Sequence, residues 1–116
     1  MVVVDDDDSV RESLPDLLKM LGYESKGFAS AEEFLASGVA VTASCMILDI
    51  GLPKMSGHQL QRELIRRGNR RPVIFITGRA EKSLPPGLLS QGVPCLLKPF
   101  SEEALSTALH AVLRQI

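Results

Sequence analysis

The sequence predicts an α/β fold, a parallel sheet covered by helices on both faces. Three observations carry that expectation. Residues 2–4, 45–48, 72–76 and 93–97 are short runs of consecutive apolar side chains, which is how strands read when both their faces are buried. The segments between them place apolar residues three and four apart, the mark of a helix with one buried face. Strand and helix patterns alternate along the whole chain, with no internal repeat, low-complexity tract or linker, so one compact unit is expected over residues 1–116.

Each element has its own local justification. Val2, Val3 and Val4 are too few and too β-branched for a helix, and read as a buried strand. Asp8 or Ser9 is expected to cap the next helix, whose Val10, Leu14, Leu17, Leu18 and Leu21 share one face. Pro15 is expected to kink that helix or delay its regular start, and Gly22 to end it. Residues 23–28 form a short second strand. Ser30, with Glu33 three residues on, reads as a capping box for a short helix carrying Phe34 and Leu35 and stopping near Gly38.

Residues 45–48 form the third strand, ending at Asp49. Gly51, Pro53 and Gly57 mark a loop, and Leu60, Leu64 and Ile65 then define a helical face. The fourth strand, residues 72–76, ends at Thr77 and Gly78. Between Arg79 and Gly92, the group Pro85, Pro86 and Gly87 leaves room only for a short or irregular fourth helix. Residues 93–97 are the fifth strand, ending at Lys98 and Pro99. Ser101 caps a last helix whose Leu105, Leu109, Val112 and Leu113 face the core.

Composition narrows the function classes. The chain has 116 residues, 45% of them hydrophobic and 23% charged, as in an ordinary soluble domain. Thirteen Lys and Arg against fourteen Asp and Glu give a net charge of -1, so neither nucleic acid nor an anionic membrane is expected as a partner of this domain. No apolar run approaches the ~18 residues of a membrane span. The chain opens on valines and then aspartates, the opposite of a signal peptide's basic start. Cys45 and Cys95 sit in apolar runs without metal-ligand neighbours and read as buried free thiols in a reducing cytosol. A cytoplasmic location is therefore expected.

In an open parallel sheet, ligands bind outside the carboxyl ends of the strands. Polar residues stand at four of those ends: Asp5 and Asp6, Asp49, Thr77 and Lys98. Carboxylates gathered in one crevice repel one another, and a hard, oxygen-seeking cation relieves the conflict. Magnesium suits such a site, because it keeps several waters and shares its shell with phosphate. Lys98 adds a cation for a phosphoryl oxygen and Thr77 a hydroxyl, the means of stabilising a phosphoryl group in transfer. A carboxylate among them can serve as nucleophile and become an aspartyl-phosphate.

The stretches Val-Val-Asp-Asp at 3–6, Leu-Asp-Ile-Gly-Leu-Pro-Lys-Met-Ser-Gly at 48–57, Ile-Thr-Gly at 76–78 and Leu-Lys-Pro-Phe at 97–100 resemble the receiver domain of bacterial two-component response regulators. The resemblance is closest to the subgroup with helix-turn-helix output domains. It covers essentially the whole chain and implies a single receiver domain over residues 1–116, with no output domain in this chain. The implied fold is a doubly wound, five-stranded parallel sheet in the flavodoxin-like order 2-1-3-4-5.

By the same resemblance, Asp49 is the phosphoacceptor, taking a phosphoryl group from a phosphohistidine on a sensor histidine kinase or phosphotransfer protein. Asp6 binds magnesium directly and Asp5 mainly through water, while Asp49 and the Gly51 carbonyl complete the protein ligands. Thr77 and Lys98 hold phosphoryl oxygens, Gly78 allows close approach, and the peptide before Pro99 is cis. The domain is then a regulatory phosphoacceptor and not a turnover enzyme; its own chemistry is limited to accepting the group and slowly losing it. A phosphorylation-dependent homodimer or an output domain is the implied recipient of the signal, through a changed conformation at the face of the fourth helix and fifth strand.

Two features depart from the family pattern. Cys95 stands three positions before Lys98, where the family carries an aromatic switch residue beside Thr77, and the stretch between Thr77 and Lys98 is short and holds Pro85 and Pro86. These keep a second class open: a degenerate receiver that binds a partner without phosphorylation. A third class, an aspartyl phosphatase, needs a second Asp two residues after the nucleophile, and that position is Gly51. Asp7 and Asp8 are read as helix-terminus residues. The run of Arg62, Arg66, Arg67, Arg70 and Arg71 is read as a solvated helix face in preference to a docking patch.

Overall fold

A computed structural model describes residues 1–38, 44–52, 54–78, 94–98 and 100–113. In chain order the elements are β1 (Val2–Val4), α1 (Asp8–Met20), β2 (Lys26–Phe28), α2 (Ala31–Ser37), β3 (Met46–Asp49), α3 (Gly57–Arg66), β4 (Val73–Thr77), β5 (Cys95–Leu97) and α4 (Glu102–Leu113). The five strands form one sheet in the order β2-β1-β3-β4-β5, every neighbouring pair parallel. The expected doubly wound sheet and its strand order are therefore observed. The short or irregular helix expected between Arg79 and Gly92 lies outside the described residues, as does Pro99.

Alternation along the strands sorts the core into two layers. Val2, Val4, Met46, Leu48, Val73 and Phe75 face α2 and α3, meeting Phe34, Leu60 and Leu64. Val3, Ile47, Ile74 and Ile76 face α1 and α4, meeting Leu14, Leu18, Leu105 and Leu109. Removing one such side chain, for example Leu60→Ala, costs roughly 2–5 kcal/mol, because both the transfer energy and the packing are lost.

Local chemistry explains where the elements begin and end. The cap of α1 is Asp7, not Asp8 or Ser9: Asp7 is extended (φ -83°, ψ 117°) and its carboxylate accepts the Ser9 N–H. Asp8 is the first helical residue, an acid at the positive end of the helix dipole. Helix α1 starts on time and runs through Pro15. Proline lacks the N–H that would reach the Arg11 carbonyl, and burial of Leu14 and Leu18 holds the helix despite that loss. Gly22, at φ +94°, closes α1 by donating to the Lys19 carbonyl while Tyr23 donates to Leu18. Tyr23 is thus used in the helix end, and β2 is shorter than residues 23–28.

Ser30 caps α2 as expected, although Glu33 reaches back to the Ala29 N–H and not to that of Ser30. Ser56 and Gln59 form a reciprocal capping box on α3. The Ser101 hydroxyl accepts the Ala104 N–H at the start of α4. Leu113 and Ile65 are half-buried, and Ala108 takes a core place in α4. Cys45 is buried, but Cys95 is only half-buried: among the described residues β5 is the edge strand, with no strand on one of its flanks.

Candidate functional site

Strand register assembles the site. Val4 pairs with Leu48, so Asp5 emerges beside Asp49. Asp49 pairs with Ile76, which leaves Thr77 one residue further toward the carboxyl edge. Thr77 pairs with Leu97, and Lys98 is the next residue. Residues scattered over 93 positions of sequence thereby meet at one end of the sheet.

Asp5 is fully buried and tied at every polar group. Its N–H donates to the Phe28 carbonyl (3.0 Å), and its carbonyl accepts from the Arg11 guanidinium (2.9 Å). One carboxylate oxygen accepts the Asp7 N–H (2.9 Å), the other the Lys98 ammonium (2.8 Å). Asp49 is 4% exposed. Its Oδ1 accepts the Gly51 N–H (3.0 Å), and its Oδ2 lies 3.6 Å from Lys98 Nζ. Asp6 is exposed, yet carboxylate oxygens of Asp5, Asp6 and Asp49 all lie within 4.8 Å of one another.

The electrostatics follow from that crowding. Burial pushes the Asp49 carboxyl up to about 6; the Asp5 charge adds to the rise, and the Gly51 N–H and Lys98 only partly offset it. For Lys98, burial favours the neutral amine, but the hydrogen bond to Asp5 and the charges of Asp49, Asp5 and Asp7 prevail and hold its pKa above the usual lysine range. Asp5 and Asp49 thus share the Lys98 ammonium, and among the described residues no cation pairs with Asp6.

Thr77 is buried at the end of β4, and its carbonyl accepts the Lys98 N–H (2.7 Å). Gly78 is exposed, with nothing within 4 Å of where a Cβ would stand. Asp5, Asp6, Asp49, Gly51, Thr77 and Lys98 are accordingly found at one edge. Cys95 belongs elsewhere: it pairs with Phe75 and packs against the layer under α2 and α3. Among the arginines, Glu63 binds both Arg66 and Arg67 on an exposed face, in keeping with a solvated helix surface.

Gly57, expected to lie in the loop but found as the first residue of α3, and Arg11, which the sequence did not single out, shape the site. A Cβ at Gly57 would stand 2.5 Å from the Asp49 carbonyl oxygen, so the first turn of α3 closes on the phosphoacceptor candidate's backbone only because residue 57 has no side chain. The available signal was Ser56 with Gln59 three residues on, a capping box that starts the helix at Gly57. Arg11 reaches from α1 to the Asp5 carbonyl and also pairs with Asp8. Nothing in the sequence marked it. Lys54 turns the loop after Asp49 through a left-handed backbone, φ 65°.

A five-stranded parallel sheet in this order, with an acidic cluster, a threonine and a lysine at its carboxyl edge, defines a receiver fold. The chain belongs to the response regulator receiver domain family, which matches residues 1–110. It is 36% identical over 113 residues to the response regulator protein TmoT of Ectopseudomonas mendocina, covering 97% of this chain and 51% of that protein. Nodulation protein W of Bradyrhizobium diazoefficiens is 40% identical over 110 residues, with 94% and 48% covered. The solved structure of the response regulator StyR superposes with a TM-score of 0.86 at 36% identity, over 98% of this chain and 58% of that one. The chain spans about half the length of the curated relatives it matches. Membership makes this a regulatory domain of two-component signalling. Among the described residues, no helix is long and apolar enough to cross a membrane.

Proposed function

We propose that this receiver accepts a phosphoryl group on Asp49 from a phosphohistidine of a sensor histidine kinase or phosphotransfer protein, in a magnesium-dependent reaction in the cytoplasm. A carboxylate oxygen of Asp49 attacks phosphorus, the P–N bond breaks, and the imidazole leaves with the electron pair. The product is an acyl phosphate, which the domain slowly hydrolyses. The observation that carries this reading is the placement of Lys98 Nζ, 2.8 Å from Asp5 and 3.6 Å from Asp49, at the mouth of a three-carboxylate cluster.

The donor set fits magnesium. All candidate ligands are hard oxygens, those of the three carboxylates lie within 4.8 Å of one another, and the Lys98 ammonium leaves the cluster under-neutralised. Asp6 and Asp49 are the direct carboxylate ligands, Asp5 acts mainly through water, and the Gly51 carbonyl completes the set. Magnesium, when bound, supplies neutralisation of charge on the phosphoryl oxygens. Lys98 exchanges its contact with Asp5 for a phosphoryl oxygen, and the Thr77 hydroxyl donates to another. Gly78 leaves the approach open.

Because the relatives are about twice as long as this chain, we assign residues 1–116 to one receiver domain whose phosphorylation controls an output domain or a homodimer. A second reading, a partner-binding receiver independent of phosphorylation, is favoured by Cys95 in place of an aromatic switch residue. Incubation with a small phosphodonor and magnesium, read by intact mass, separates them. One added phosphoryl group, about 80 Da, absent in Asp49→Asn, supports the first; no addition to the wild type supports the second.

A further inference from the structure

Arg11 binds neither the carboxylates of the cluster nor the place where a phosphoryl group would sit, yet it holds the backbone that presents them. Its guanidinium donates to the Asp5 carbonyl at 2.9 Å and also pairs with Asp8. Its aliphatic stem crosses β2 at Gly27, where a Cβ would stand 3.7 Å from the arginine Cγ. The Asp5 N–H is fixed separately to the Phe28 carbonyl on the same strand. A peptide unit is planar, so fixing the Asp5 carbonyl fixes the Asp5–Asp6 peptide and the position of the Asp6 Cα. Asp6 needs that help most. Its carboxylate is exposed and has no hydrogen-bond partner among the described residues, whereas Asp5 and Asp49 are buried and tied.

We propose that Arg11 is a positioning residue for the divalent-cation site: through the Asp5 carbonyl it orders the Asp5–Asp6 peptide, so that the Asp6 carboxylate is held toward Asp49 before the ion arrives. This rests on the magnesium reading given above. It has a consequence whose sign is opposite to that of simple electrostatics. Arg11 is a cation near a cation site, so on charge alone its removal tightens magnesium binding. On the positioning role its removal weakens it, by about tenfold, the lower end of what outer-shell partners of metal ligands contribute.

The experiment is a calorimetric titration of magnesium alone into the metal-free full chain, with thermal melts in chelator alongside. Arg11→Met keeps the stem over Gly27 and loses the guanidinium. Saturable binding by the wild type and roughly tenfold weaker binding by Arg11→Met support the proposal. A merely structural Arg11 lowers the melting temperature in chelator and leaves magnesium affinity unchanged; unchanged or tightened affinity overturns the proposal. If Arg11→Met does not fold, Arg11→Leu serves: it keeps apolar bulk over Gly27 and has no donor for the Asp5 carbonyl, and affinity equal to wild type overturns the proposal equally. Failure of the wild type to bind magnesium overturns the cation-site reading itself, a result distinct from either variant's.

Discussion

The Lys98 ammonium lies 2.8 Å from Asp5 and 3.6 Å from Asp49, so the lysine that follows the edge strand β5 serves first as counter-ion to a carboxylate following β1, across two intervening strands. Its partner Asp5 is fully buried, while Lys98 keeps 19% of its side chain exposed. On the proposed magnesium reading, a divalent cation and Lys98 compete for the same carboxylates. On that reading, metal binding and release of the lysine toward a phosphoryl oxygen are one exchange.

Removing the ammonium tests that exchange. Lys98→Met leaves the buried Asp5 charge without its ion-pair partner, and breaking such a pair costs a few kcal/mol; partial exposure of Lys98 puts the expected loss at about 2 kcal/mol in chelator. Magnesium is expected to restore most of it, because the ion no longer has a competitor. Thermal melts with and without magnesium provide the check. A variant that melts like the wild type in chelator would show that the pair does not stabilise the fold.

Asp49 sets a pH dependence of known sign. Its carboxyl is raised to about 6, chiefly by burial, so the folded state holds this proton more tightly than the unfolded chain. The stabilisation is fully present below the ordinary carboxylate value and is lost as pH rises through about 6. In chelator, Asp49→Asn should gain on the wild type as pH climbs from 4 to 7, by on the order of 2–3 kcal/mol. Taking the difference in urea midpoint between the two proteins cancels groups such as Glu63, whose lowered carboxyl pulls the other way at lower pH. A difference that stays flat across the range would refute the assignment.

The cation site has its own prediction. Ligand binding to the folded state alone stabilises it by mass action, ~2.7 kcal/mol at a hundredfold excess over the dissociation constant. Asp6→Ala removes the exposed carboxylate of the trio and should abolish the rise in melting temperature with magnesium. It should leave the chelator melt little changed, since Asp6 makes no packing contact in the core. A full magnesium response in Asp6→Ala would mean that the ion is held elsewhere.

Most of this architecture was legible in the sequence for one physical reason. Strands apolar at every position have to be buried on both faces, which forces a parallel sheet, and a parallel sheet delivers Asp5, Asp49, Thr77 and Lys98 to the same edge. What escaped depends on geometry that composition does not carry. Asp7 and Asp8 are chemically identical, and only the extended backbone at Asp7 decides which one caps α1. Periodicity does not distinguish an edge strand from a central one, so Cys95 looked as buried as Cys45. Arg11 drew no reading from the sequence, because its bond to the Asp5 carbonyl is a tertiary contact that helix periodicity does not show.

Gly57 offers a test in which two principles oppose each other. Helix propensity favours Gly57→Ala by up to about 1 kcal/mol. The Cβ would stand 2.5 Å from the Asp49 carbonyl oxygen and 2.9 Å from its carbon, both backbone atoms that cannot rotate away. Overpacking of this kind costs about 1–3 kcal/mol, so a net loss of stability is expected, with slower phosphorylation because Asp49 itself is displaced. A raised melting temperature would show that the close approach carries no cost.

The two thiols should differ sharply in reactivity. The thiolate is the reactive form of cysteine. Cys45 is fully buried and its thiol is pushed up to about 11, mainly by that burial, with the N-terminal charge and a backbone hydrogen bond from Met46 only partly opposing it. Cys95 stands half-buried on the edge strand. Alkylation of the native protein near pH 8 should therefore modify Cys95 first, on a timescale at least about a hundredfold shorter than Cys45, whose labelling has to await unfolding. Mass spectrometry of the intact protein should show a plateau at one adduct, and Cys95→Ser should remove it. Repeating the reaction with a phosphodonor and magnesium turns Cys95 into a reporter at the position where the family carries its switch aromatic. A small apolar thiol has no ring to swing between exposed and buried places, so its labelling rate is expected to be the same in both states. Two adducts forming together would contradict the burial difference. A Cys95 rate that changes on phosphorylation would show that this position moves with the signal after all.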